Sequence, residues 1–136
     1  MPEPAFRCFV RGIPAPQGSK RGFVVNGRVN IVDANSKALK DWRSAINGVL
    51  QHEWKGPPLE GAVAVELYFK VPRPKSVPKK RICPTVQPDL DKLIRAAFDA
   101  MTGIVFLDDR LVVSVNSTKA YSPESGVIIV VRDLAA

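Results

Sequence analysis

The chain has 136 residues, 46% of them hydrophobic and 24% charged, and 20 Lys and Arg against 13 Asp and Glu give it a formal net charge of +7. Its length suits one domain, residues 1–136, with a core of its own, and its composition excludes a disordered or fibrous chain. The longest apolar runs are far too short to span a bilayer and the N-terminus lacks a signal-peptide pattern, so a cytoplasmic protein without a membrane partner is expected.

In chain order, "AFRCFVRGI" alternates in part and reads as a first strand, followed by "PAPQGSKRG", a basic Pro/Gly-rich loop read as a flexible arm. In "FVVNGRVNIV", Asn26-Gly27 lies between two β-branched runs, the strongest short-range hairpin signal. From Asn35, a plausible N-cap, to about Trp54, the residues Ala38, Leu39, Trp42, Ala45, Ile46, Val49 and Leu50 recur at helical spacing. "AVAVELYFKV" alternates as a strand, and the five prolines of residues 72–88 make that segment a loop.

A second helix follows. Leu90, Leu93, Ile94, Ala97, Phe98 and Met101 fall within a stripe of about 140° at 100° per residue, and Gly103 is its expected stop. After "IVFLDDR" come two more strands, "LVVSVNSTKAY" and "VIIVVRDL". The order β-ββ-α-β-α-β-β predicts an α+β (mixed α/β) fold, with two main helices on one mixed sheet of about five to six strands. The strands flanking the second helix should run parallel through a right-handed crossover.

Cys8 and Cys83 lie far apart without a C-x-x-C, and His52 is the one histidine, so neither a zinc site nor a disulfide framework is legible. His52 reads as a surface residue. "GIPAPQGSK" resembles a phosphate loop only loosely: Ser19 precedes Lys20 and the spacing is wrong, which argues against a nucleotide cofactor.

The positive charge is clustered. Residues 7–28 carry Arg7, Arg11, Lys20, Arg21 and Arg28 with no acid, and residues 70–81 carry Lys70, Arg73, Lys75, Lys79, Lys80 and Arg81 with no acid. Such clusters suit a polyanion, nucleic acid first. Residues 89–109 instead hold Asp89, Asp91, Asp99, Asp108 and Asp109 against Lys92 and Arg95. The bland reading is that Asp89 caps the helix and Asp91 complements its dipole, with Asp91, Arg95 and Asp99 forming a surface ion-pair ladder and Asp108-Asp109 a turn.

The alternative is a metal site. Two residues apart in a helix point about 200° from each other, so Asp89 and Asp91 can share an ion only if the helix begins between them. Hard cations such as Mg²⁺ take several oxygen ligands, and the crossover is expected to return Asp109 to a place beside the first pair. An ion so held can activate water and stabilise a phosphodiester displacement, and acids that hold a cation within a basic rim would not repel DNA.

"PDLDKLIRAAFDAMTG" followed by "FLDDRLVVSVNSTKAY" resembles the core signature of the RusA-type Holliday junction resolvases of bacteria and their phages, closely so from about Pro88 to Lys119. The resemblance implies a homodimeric, Mg²⁺-dependent endonuclease of four-way DNA junctions in the bacterial cytoplasm, with Mn²⁺ as an alternative ion. It implies that Asp89, Asp91 and Asp109 are the catalytic, metal-holding acids. Arg95 stands where the family has a lysine: it keeps the charge but cannot act as a titrating amine, which leaves it the role of phosphate clamp. Lys20, Arg21, Arg73, Lys75, Lys79, Lys80, Arg81 and Lys92 are the candidate DNA contacts. The rival from another class is a non-catalytic DNA- or junction-binding module. An RNA-binding protein is weaker, because few aromatics lie among the basic residues to stack on bases.

Overall fold

The structure, a computed structural model, describes residues 4, 6–18, 20–25, 27–33 and 36–135, with the backbone alone for the strands between 20 and 33 and for Ser36. Its elements follow the expected order: β1 Phe6–Arg11, β2 Lys20–Val25, β3 Arg28–Asp33, α1 Ser36–Glu53, β4 Val63–Val71, α2 Leu90–Met101 and then, after a short 3-10 turn at Asp109–Leu111, β5 Val112–Tyr121 and β6 Gly126–Asp133. The candidate N-cap Asn35 and the hairpin-turn residue Asn26 lie outside the described residues.

The six expected strands do not form one sheet. Four build a mixed sheet in the order β1-β6-β4-β5, while β2 and β3 pair only with each other. This corrects the expected five to six strands. A strand's own residues announce its extended backbone, but which edges meet is set by distant chain: β1 pairs antiparallel with β6, Phe6 opposite Val131. The hairpin satisfies its ladder internally, from Val25 opposite Arg28 to Lys20 opposite Asp33. It begins earlier than its apolar run, so Lys20 and Arg21 stand in β2 rather than in a loop.

β4 and β5 run parallel as expected, with one irregularity between Val63 and Ala64. β4, paired on both sides, alternates Val63, Val65, Leu67 and Phe69 into the core. Against that face α1 packs Leu39, Trp42, Ile46 and Leu50, and α2 packs Leu93, Ala96, Ala97 and Ala100, all 5% exposed or less. Burying a large apolar side chain contributes about 1.5–3 kcal/mol, so this shared core fixes where α2 begins and ends. Asn47 Nδ2 adds a bond to Ala100 O across the two helices, at 3.3 Å. His52 is exposed and both cysteines are free, as expected.

Gly126 starts β6 at φ +154°, where a Cβ would stand 2.1 Å from Val10 O. Gly126→Ala is therefore expected to lower stability by more than about 2 kcal/mol in chemical denaturation. A midpoint unchanged from wild type would show that β1 can withdraw from β6 at little cost.

Candidate active site

Asp89 is the N-cap residue of α2, extended at φ −70° and ψ 138°, and its side chain makes no cap hydrogen bond. The helix therefore does begin between Asp89 and Asp91, and the two carboxylates are not forced to opposite sides. Pro88 keeps the helix from starting earlier, since it has no N–H to donate and disfavours helical geometry at Gln87 before it, and the first backbone bond of α2 runs from Leu93 N–H to Asp89 O at 3.1 Å. The ion-pair ladder is not formed: Asp91, Arg95 and Asp99 are all exposed, and none takes part in a salt bridge among the described residues. Arg95 stays one turn along the helix from Asp91.

The start of α2 is held from below by Lys119, a residue that the sequence patterns did not single out. Its half-buried ammonium donates to Val86 O at 2.8 Å and to Pro88 O at 2.7 Å. Both acceptors belong to the proline-rich loop just ahead of Asp89. A positive charge at the level of Asp89 also suits an anionic site. The one sequence signal for Lys119 was its place as a lone cation in an otherwise uncharged strand.

Asp109 lies elsewhere. α2 runs for 12 residues, about 18 Å at 1.5 Å per residue. From its far end the chain turns at Gly103 and bridges Leu59 to Phe106, ahead of the start of β4. Asp109 then opens the short 3-10 turn, with Asp108 at its cap accepting from Arg110 N–H at 2.9 Å. β5 climbs from Val112 to Lys119, about 23 Å of strand, before it is level with the start of α2. Within one chain, therefore, Asp89 and Asp91 stand at one end of α2 and Asp109 at the other. The expectation that the crossover returns Asp109 beside the first pair is corrected here. Accordingly, no three Asp, Glu, His or Cys side chains stand close enough to hold a metal ion among the described residues.

The candidate DNA contacts divide by role. Lys75, Lys79 and Lys80 are exposed on the proline-rich loop, and Arg81 is half-buried there; none forms a salt bridge among the described residues. Arg73 instead organises that loop: its guanidinium donates to Arg81 O at 2.7 Å and to Pro78 O, and lies 5.0 Å above the ring of Tyr121. A fork of donors fixed on carbonyls and over an aromatic face shapes the loop that carries the lysines. The side chains of Lys20 and Arg21 lie outside the described residues.

Lys92 lines a cavity of about 800 Å³ together with Asp89, Gln87, Trp42 and the loop before β2. That loop is not the flexible arm expected. Gln17 N–H donates to Lys92 O at 3.0 Å, Gly12 N–H donates to Ser125 O at 3.2 Å, and Pro14 and Ala15 are buried.

The cleft thus has Asp89 and Lys92 in its wall, with Asp91 exposed in the first turn of α2 beyond it. The family profile of the endodeoxyribonuclease RusA matches residues 14–132. The uncharacterised protein YqaN of Bacillus subtilis (strain 168) is 30% identical over 138 residues, covering 93% of this chain and 95% of its own. The chain belongs to the RusA endodeoxyribonuclease family. The matched span takes in both acid groups, the proline-rich loop, β2 to β5 and all of β6 but its last residue. No helix among the described residues is long and apolar enough to cross a membrane.

Lys119 should matter to the fold of the site. Lys119→Met removes two bonds to a charged donor and is expected to cost about 1–3 kcal/mol in urea denaturation. A loss below about 0.5 kcal/mol would show that the chain ahead of Asp89 is held by something else.

Proposed function

We propose that the protein is a divalent-metal-dependent endodeoxyribonuclease that resolves four-way DNA junctions by paired, symmetrical nicks, and that it acts as a homodimer. The observation that carries this reading is the state of Asp89 and Asp91: exposed at the start of a helix that begins between them, with no side-chain cap bond at Asp89 and no salt bridge at either among the described residues. Their position in a family of endodeoxyribonucleases gives those acids a chemistry.

Carboxylate oxygens are the donors that Mg²⁺ or Mn²⁺ prefers, so Asp89 and Asp91 fit one half of a metal site and Asp109 fits the remainder. When bound, such an ion supplies Lewis-acid charge stabilisation and a lowered pKa for water. Since one chain holds its three acids at two ends of α2, a complete centre needs Asp89 and Asp91 from one subunit and Asp109 from another. Two-fold symmetry then yields two identical centres, which suits the near two-fold symmetry of a junction and the need for two nicks.

The protein's own groups do the binding and orienting. Arg95, one turn from Asp91, clamps a phosphate oxygen, and its permanent charge excludes it as a proton donor. Lys75, Lys79, Lys80 and Arg81, on the loop that leads into Asp89, hold the arms of the junction through their phosphates. This gives salt-sensitive binding that is largely independent of base sequence. The loop's ties to Arg73 and Lys119 keep that charge in register with the acids. The rival reading, a binding module without catalysis, draws its support from the separation of the acids within one chain, and it would hold if the protein worked as a monomer.

A labelled four-way junction tests the proposal. Wild type is expected to cut with Mg²⁺ or Mn²⁺ and not with EDTA. Asp91→Asn should bind the junction normally while cutting at least ~100-fold more slowly, the scale on which a group that stabilises transition-state charge is felt. Binding that is equal with metal or EDTA, with no cutting under either condition, would establish the module instead.

A further inference from the structure

β5 is the edge strand of the four-stranded sheet: it pairs with β4 alone, and along its 10 residues the other edge has no partner among the described residues. A long strand with an open row of N–H and C=O groups is a template for another strand. Its lower part is also apolar where it meets solvent, with Val113 64% and Val115 46% exposed.

Of the other large exposed apolar side chains, Ile13 lies on the loop before β2, and three stand at the two ends of α2. Leu107, 50% exposed, lies just ahead of the Asp109 turn, at the foot of β5. Ile82 and Val86, 83% and 43% exposed, lie on the proline-rich loop at the Asp89 end. Charge is divided too: Asp108 and Asp109 stand with Arg110 at the first end, and Lys79, Lys80, Arg81 and Lys119 stand with Asp89 and Asp91 at the second, which leaves the first end acidic and the second basic. The two ends of the β5–α2 unit are thus complementary to each other in charge, each carries apolar surface, and each holds one part of the acid set. A chain cannot bring its own two ends together across a rigid helix. A two-fold axis can, because it sets end one of each copy against end two of the other.

We infer that the subunit interface is the free edge of β5, joined antiparallel to β5 of a second copy of this chain about an axis near Val115. The register follows from the site. Asp109 precedes Leu111 at the foot of β5, and the start of α2 is level with Lys119. Leu111 meets Lys119 of the second copy when the axis passes midway between them, at Val115. The four-stranded sheets then join as eight strands, and each Asp109 stands beside the other copy's Asp89 and Asp91. This inference rests on the reading of the three acids as one centre and adds to it the surface, direction and register of the pairing.

The test is read without DNA or metal, so it can fail while cutting survives, and the reverse. In a Cys83→Ser background, Val115→Cys is expected to form a covalent dimer under mild oxidation. Thr118→Cys should not, since two copies of residue 118 would lie about 20 Å apart along the paired strands. Cys8 gives little background, because burial, aided by the charge of Glu53, pushes its thiol up to about 12. Val113→Lys with Val115→Lys places charge on an exposed edge without touching the core. Sedimentation should then show one chain where wild type shows two, with an unchanged circular dichroism spectrum. A wild-type monomer at micromolar concentration, a lysine variant that remains dimeric, or equal cross-linking at 115 and 118 would each overturn the interface.

Discussion

A helix that joins two neighbouring parallel strands has to travel back along the whole sheet. α2 is that helix, and its length separates whatever precedes it from whatever follows it. Everything distinctive about this protein depends on that constraint. Asp89 and Asp91 close the loop at the head of α2, Asp109 opens the turn at its foot, and a packed core of Leu93, Ala96, Ala97 and Ala100 against β4 holds α2 in place. Within one chain, α2 thereby keeps Asp109 apart from Asp89 and Asp91.

The same constraint explains the charge pattern. The proline-rich loop must cross from the end of β4 to the head of α2, which puts its lysines at the Asp89 end of the molecule. With five prolines it has few N–H groups for regular pairing, so side chains do the shaping: Arg73 serves carbonyls within the loop, and Lys119 serves those at its exit. Each is a cation whose charge-assisted bonds order the chain that carries further cations. A flexible basic segment would bind DNA at a larger entropic cost than one already held in form.

The element order was legible because it rests on local periodicity. The stripe from Leu90 to Met101 and the alternation in β4 have physical meaning within a few residues, and both were read correctly. The division of six strands into a four-stranded sheet and a separate ribbon was not legible, since it depends on which edges meet. β1 finds its partner more than a hundred positions away in β6. The break of the helix between Asp89 and Asp91 could be foreseen from Pro88, whereas the lack of a side-chain cap at Asp89 could not. The expected closeness of Asp109 to the first pair treated nearness in a motif as nearness in space. The parallel strand that follows α2 contradicts it, because helix rise and strand direction together place Asp109 at the opposite end.

The central claim is that an active centre is shared between two chains, and subunit mixing addresses it directly. Two differently tagged chains, Asp91→Asn and Asp109→Asn, can be co-expressed and the mixed dimer isolated. If centres form across subunits, this mixed dimer contains one intact centre, and it will nick one strand of a four-way junction although each parent dimer is inactive. In the same arrangement, a wild-type chain paired with an Asp91→Asn, Asp109→Asn double variant will be inactive. A mixed dimer as dead as its parents, beside an active pairing of wild type with the double variant, would contradict the account and return all three acids to one chain.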